Sequence, residues 1–240
     1  MVSRERVLLT ILAVAAEKME FDGLLRHMSE RREENWPVQF GCSGKIGRNR
    51  WLLTSNGPGP GLAAEAVTAV FAAGEQLDLL LSIGWCGALH PHFAVGDVFA
   101  ASVIFAGQRE FHTKVPKCAR PFLTGRLISQ DRFIATAAEK NELHVLGAQV
   151  VEMEAASVAL AAEEHGLPFS CVRVISDTAL EDFPIDFNRF RDAKGRFDRK
   201  KIALRGLLSP FRGLPNLIRM GQRGRATSKI LGDFLADCQF

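Results

Sequence analysis

A chain of 240 residues with 47% hydrophobic and 24% charged residues is too long for a disulfide-stapled miniature and too apolar for intrinsic disorder. It has the size of one large α/β domain, and a single domain over 1–240 is expected. The net charge of +3 conceals a segregation: residues 188–229 hold thirteen Lys or Arg against two Asp, a local +11, which leaves −8 on the other 198 residues.

Five cysteines, Cys42, Cys86, Cys118, Cys171 and Cys238, lie at irregular spacings with no C-x-x-C pair. Neither a disulfide framework nor a zinc ribbon follows, and a reducing, cytoplasmic setting is expected. Arg4, Glu5 and Arg6 ahead of apolar residues 7–16 imitate a signal peptide in outline, yet the same run has the form of a buried first strand. No stretch is long and polar-free enough to span a bilayer; the best, 79–95, carries Ser82, two histidines, Pro91 and two glycines.

In chain order, residues 7–14 predict a strand buried on both faces, and 17–30 a helix with Met19, Leu24, Leu25 and Met28 on its inner face. Residues 51–54 predict a short apolar strand that stops at the turn-rich Asn56-Gly-Pro-Gly-Pro-Gly61. An alanine-rich helix over 62–73 and a strand over 77–83 come next, the strand ending at Gly84. Another strand covers 95–105, after the His90-Pro-His92 loop. Helical character returns over 133–140 and 155–164, the second closing at Gly166 with Pro168 behind it. Residues 170–175 form a last buried strand that leads to Ser176 and Asp177. Residues 186–222 are a basic insertion or flap, and 227–238 a final helix.

This alternation predicts an α/β fold with a central mixed, largely parallel sheet flanked by helices on both faces. In such sheets ligands bind beyond the carboxyl ends of the strands, so 56–61, 84–87 and 176–177 are expected to converge.

Several residues there can do chemistry, each with a plainer alternative. Gly57, Gly59 and Gly61 between a strand and a helix let backbone N–H groups approach an anion or a sugar closely, or make only a tight turn. The spacing fits neither a Walker loop nor G-x-G-x-x-G. Glu152 and Glu154 around Met153 at a helix start can grip a diol, since an ionised carboxylate accepts two hydroxyl hydrogen bonds, or can merely complement the helix dipole. Asp177 at a strand end beside the Ser176 hydroxyl can be a partly desolvated general acid or a helix cap. Glu20 is a further acid, with Glu17 a turn away. Cys86, His90 and His92 lack a fourth ligand, and no metal is expected.

Taken in order, these pieces resemble the purine and uridine phosphorylase superfamily, which includes the methylthioadenosine/S-adenosylhomocysteine nucleosidases. The resemblance rests on Ala16 with Glu20, Gly57-Pro-Gly-Pro-Gly-Leu-Ala-Ala64, Ser82-Ile-Gly-Trp-Cys-Gly-Ala-Leu89, Val95-Gly-Asp97, Ser129-Gln-Asp-Arg-Phe-Ile134, Val151-Glu-Met-Glu-Ala-Ala156 and Arg173-Val-Ile-Ser-Asp177. It implies cleavage of a purine N-ribosidic bond. Asp177 would protonate the purine at N7, Ser176 would hold that aspartate, and Glu154 with Met153 would bind the ribose. Phe133 would stack on the base with the Ile134 backbone near its edge, Gly87 and Cys86 would line the substrate site, and Glu20 would orient or activate the nucleophile. Gly57, Gly59, Gly61 and Trp85 would surround the phosphate or water.

Three departures bear on the nucleophile. Trp85 replaces a small hydroxyl residue, Gln130 replaces a common glycine, and the arginine-bearing Gly-Asp-Pro-x-Arg of hexameric phosphorylases is missing. No metal or organic cofactor is implied, with inorganic phosphate as co-substrate for a phosphorylase. A homo-oligomer is expected.

The segment 186–220 is similar, more loosely, to the tail of hopanoid-associated phosphorylases. Its mixed basic and apolar residues suit either a lipid surface, through 188–229, or a solvated flap. A non-catalytic nucleoside-binding protein is the competing class. Nucleic-acid binding is not expected, and a steep salt dependence would be its mark.

Overall fold

The computed structural model of the chain describes residues 8–183, 186–192, 195–198, 200–201 and 213–240, with only the helical course given for 213–217. Much of the expected flap, and the first residue of the expected first strand, lie outside the described residues.

Among the described residues ten strands form one mixed sheet: β1 (Thr10–Ala15), β2 (Ser29–Glu33), β3 (Phe40–Ile46), β4 (Asn49–Ser55), β5 (Leu79–Ala88), β6 (Val98–Ala106), β7 (Arg109–His112), β8 (Leu123–Ser129), β9 (Val150–Glu152) and β10 (Phe169–Asp177). The helices are α1 (Asp22–Leu25), α2 (Pro60–Ala72), α3 (Ala137–Val145), α4 (Ala155–Glu164) and α5 (Gly213–Asp237), with 3-10 turns at Lys18–Phe21 and Phe187–Phe190. The strand order is β10-β6-β8-β9-β5-β1-β4-β3-β2, with β7 on β6. Because β10 also pairs with β5, strands β5, β10, β6, β8 and β9 close on themselves, and β1, β4, β3 and β2 extend from β5. Pairing is parallel at β1–β4, β1–β5, β5–β10, β6–β8 and β8–β9, and antiparallel at the other five contacts, so the sheet is mixed as expected but evenly divided.

β1 shows why a strand covered on both faces is a continuous apolar run. Leu12 and Val14 enter the core beneath α2 and α4, while Ile11, Ala13 and Ala15 enter the core beneath α1 and α5. α5 buries Gly224, Thr227, Ser228, Leu231 and Leu235, one stripe at helical spacing, and leaves Arg225, Lys229 and Ile230 outward. It begins well before residue 227, where the last helix was expected.

The helix expected over 17–30 is cut short. One 3-10 turn and one α-turn are followed by β2, every residue of which is exposed, and the pairing of β2 with β3 overrides the helical spacing of Leu24 and Met28. Gly23 explains the tight corner: a Cβ there would overlap the Ser228 carbonyl of α5, and one on Gly232 would overlap the Gly23–Leu24 backbone. The two helices thus meet backbone to backbone. Gly232→Ala is expected to cost about 3 kcal/mol, because no flexible side chain can yield. A urea midpoint equal to that of the unaltered protein would show the contact to be absent.

β5 runs through Gly84 to Ala88 instead of stopping, and the helix expected over 133–140 starts later, at Ala137, where Thr136 and Glu139 form a reciprocal cap.

Candidate active site

Register brings the chemistry together. Gly87 on β5 lies opposite Asp177 on β10 and opposite Val151 on β9, next to Glu152 and the turn to Glu154 at the start of α4. A bulge between Ile175 and Asp177 turns the end of β10 towards this row. A cavity of about 320 Å³ opens there. Glu20, Trp85, Cys86, Gly87, Phe133, Glu152, Met153, Glu154, Ser176 and Asp177 all line it, together with Pro58 from the glycine-rich turn.

Asp177 is buried, and both its oxygens are held: Ser176 Oγ donates to Oδ1 at 2.7 Å and Lys140 Nζ to Oδ2 at 2.6 Å. Burial raises its pKa, opposed by the Lys140 ammonium and the two hydrogen bonds. Gly87 is packed so close that a Cβ would come within 3.0 Å of Asp177 Oδ2.

Glu20 is the buried acid beside Trp85 in the same cavity wall. Its Oε1 accepts from the Trp85 N–H at 2.9 Å and its Oε2 from the Glu17 N–H at 2.8 Å. Burial outweighs these bonds and raises its pKa to about 7, where a carboxyl group exchanges protons readily at neutrality. Gly84, with φ 143°, permits this approach: a Cβ there would overlap Glu20 Oε1 and lie 3.0 Å from Arg173 Nη1.

In the same wall, Glu154 Oε1 accepts from the Gly59 N–H at 2.8 Å, and burial followed by the neighbouring Glu152 raises its pKa. Glu152 does other work. Its Oε2 accepts from the Glu154 and Ala155 N–H groups, both at 2.9 Å, and forms a buried ion pair with Arg173, which also donates to Ser82 Oγ at 2.7 Å. Glu152 therefore braces the turn that carries Glu154, with Oε1 left without a protein partner.

Other expected residues fall elsewhere. The Gly59 N–H is committed to Glu154 rather than open to an anion, Gly57 faces Leu62 and Arg196, and Gly61 lies inside α2; none of the three is in the cavity wall. Ile134 packs with Leu89, Phe105 and Ile128, behind the wall. Among the described residues no group of His, Cys, Asp and Glu is arranged to hold a metal ion. The His90 and His92 rings are tilted at 53° to one another, 5.4 Å between centroids, while Cys86 faces the cavity.

Part of the cavity wall is aromatic. Phe133 meets Phe183 at 4.9 Å and Phe187 at 5.0 Å between centroids, both edge to face, and Phe197 lies 6.1 Å from Phe187. Met220, Arg223 and Gly224 of α5 close the wall, with Gly224 against the Trp85 ring. Arg223 is tied to Glu181 at 2.8 and 2.7 Å. Sequence reasoning missed Lys140, Phe183, Phe187 and Phe197. Phenylalanines recurring through an otherwise charged stretch were the available signal for the rings; a lysine inside Ala-Ala-Glu-Lys carries none.

The glycosidic chemistry expected of this site matches what the chain is similar to. The 5′-methylthioadenosine/S-adenosylhomocysteine nucleosidase of Staphylococcus epidermidis is 21% identical over 220 residues, covering 80% of this chain and 96% of that protein. The corresponding nucleosidase of Staphylococcus saprophyticus is 26% identical over 61% of this chain and 77% of its own length. Two solved structures share the fold. The nucleosidase of Streptococcus pneumoniae with the transition-state inhibitor MT-ImmA has a TM-score of 0.67 at 21% identity, over 95% of this chain and 99% of that one. The Helicobacter pylori nucleosidase, complexed with a substituted pyrrolidin-3-ol, has a TM-score of 0.69 at 17% identity, over 96% and 97%. The family model described as the phosphorylase superfamily matches residues 11–118 and 106–204, most of the sheet and every carboxylate of the cavity, and the chain belongs to that superfamily.

Proposed function

We propose that the protein hydrolyses the N-ribosidic bond of a 5′-substituted adenosine. The observation that carries this is the pair of buried carboxyl groups lining one cavity, Asp177 beside the base site and Glu20 at the nucleophile end. Asp177 gives a proton to the purine as the bond breaks, and Ser176 keeps its carboxyl in plane. Glu154 binds the ribose hydroxyls beside the oxocarbenium-like sugar. Glu20 takes the proton of the attacking water. No metal or organic cofactor enters, since side chains supply both proton transfers.

Hydrolysis is favoured over phosphorolysis by charge. The arginine Arg173 nearest Glu20 is committed to Glu152 and Ser82, and Arg223 in the cavity wall is committed to Glu181. A phosphate dianion at Glu20 would meet a carboxylate, and among the described residues the two guanidiniums nearest it are already ion-paired. The test is chromatographic: adenine released from methylthioadenosine at equal rates with and without phosphate supports the proposal, and release that requires phosphate and yields a sugar 1-phosphate sinks it.

The 5′ substituent is read from the aromatic end of the cavity, where Phe183, Phe187 and Phe197 offer an apolar sleeve. Phe187→Ala is expected to lower kcat/KM for adenosines with apolar 5′ groups ~10–100-fold, the worth of one buried ring, and to change adenosine itself little. An equal loss on both substrates would refute the sleeve.

Further parts of the same proposal concern the setting. Free thiols at all five cysteines support a cytoplasmic protein. Among the described residues no helix is long and apolar enough to cross a membrane. Exposed Val145 and Leu146 at the end of α3 support a homo-oligomer, and exposed Ile218 beside Arg219 supports contact of α5 with a lipid surface.

A further inference from the structure

Lys140 lies in α3 with no exposed surface, a position lysine almost never takes without a partner. Its ammonium has three donors, and three acceptors surround it: Asp177 Oδ2 at 2.6 Å, the Thr178 carbonyl at 2.7 Å and the Glu181 carbonyl at 3.1 Å. The Phe183 ring centroid is 5.3 Å away. Fold stability alone gives no reason for such a pair, because apolar residues of similar volume commonly serve a core as well or better. What distinguishes this one is that its carboxyl partner lines the cavity.

We propose that Lys140 is the positioning residue of the general acid, holding the Asp177 carboxyl against the base site and balancing its charge once the proton has left. The inference deepens the nucleosidase proposal and rests on it. As the N-ribosidic bond breaks, its electron pair goes to the purine, the O–H bond of Asp177 breaks and an N–H bond forms at the leaving base. The carboxylate left behind is neutralised where it stands by the ammonium, and a proton from water restores the acid for the next turnover. The tether is itself fastened: the Glu181 carboxylate, on the residue whose carbonyl holds Lys140, receives Arg223 and Arg219 from α5. The helix that closes the cavity thus also fixes the lysine.

The charged or titratable groups facing Asp177 are Lys140 from α3, Glu181 from the loop after β10 and Cys86 from β5. Of these only Lys140 is cationic, so its removal has a definite sign. The active form of Asp177 is protonated, and activity is lost as pH rises through its pKa. Lys140→Met leaves the carboxylate without a counter-ion, so the proton is held more tightly and the alkaline limb of kcat moves to higher pH. A weaker acid transfers its proton less readily, and kcat at neutral pH falls ~10–100-fold while KM changes by less than about threefold.

The experiment compares pH profiles of the unaltered protein and Lys140→Met on methylthioadenosine. It adds 4-nitrophenyl β-D-riboside, whose leaving group needs no proton. The expected result is a raised alkaline limb, a lower kcat on the nucleoside and riboside cleavage within about threefold of the unaltered protein. Should Lys140→Met fail to fold, Lys140→Gln, which keeps two donors without the charge, is expected to show the same shift. An unmoved alkaline limb, or nucleoside and riboside cleavage falling together, overturns the role of Lys140 while leaving the nucleosidase proposal intact. An unaltered protein that releases base from no nucleoside overturns the nucleosidase proposal itself.

Discussion

Asp177→Asn is expected to lower kcat for adenine release by ~10³-fold, within the range a positioned general acid contributes. The asparagine fills the same space, and its carbonyl oxygen can accept from one of the two donors, Lys140 or Ser176, that hold the native carboxyl. KM should therefore stay within about threefold, because the ribose contacts of Glu154 and the aromatic wall are untouched. What is lost is the proton: an amide cannot protonate a leaving purine, and the departing base then carries off unneutralised negative charge. Steady-state adenine release by the two proteins measures this directly, and a loss of less than tenfold would move the acid elsewhere. Uniform loss in KM would instead point to damage in binding.

Glu20→Gln is the second large effect, with kcat expected to fall ~10²–10³-fold when a general base is removed. Here the pH dependence is diagnostic. Burial holds the folded pKa of Glu20 near 7, above its ordinary value of 4.5, so the ionised base is fully present only above about pH 7 and is lost as pH falls through that value. The acid limb of the kcat profile is expected close to pH 7, displaced upward from where an exposed glutamate would place it. In Glu20→Gln that limb disappears, leaving a low rate that is flat towards acid. An acid limb that persists in the variant would assign it to another group. Paired with the alkaline limb that Lys140 governs, the two variants separate the base from the acid.

The reliability of the sequence differed by kind of element. β1, β4, β5, β6, β10, α2 and α4 were legible because each is a run of apolar or alanine-rich residues covered on one or both faces, and burial writes itself into composition. β2, β3, β7, β8 and β9 were not. Ser29–Glu33 is wholly exposed, and Arg109–His112 buries one residue of four, so they are strands only because a neighbour supplies hydrogen-bond partners. Of the site, Asp177, Ser176, Glu154, Met153, Glu20 and Trp85 were found, since each stands in a short ordered run at a strand or helix end. The glycine turn was placed correctly in the chain, but its N–H at Gly59 serves the Glu154 carboxylate instead of an anion.

The sequence by itself determined an α/β chain whose acids gather at strand ends, because hydrophobic period and turn chemistry are local properties of neighbouring residues. Only the tertiary structure decided how those acids behave. Closure of the sheet through β5–β10 pairing helps bury Asp177 and Glu20 in the wall of one cavity, and α3 drives Lys140 into the interior from a position that looks like any surface lysine. Desolvation and the nearest counter-charge set a carboxyl group's affinity for its proton, and both depend on residues far apart in the chain.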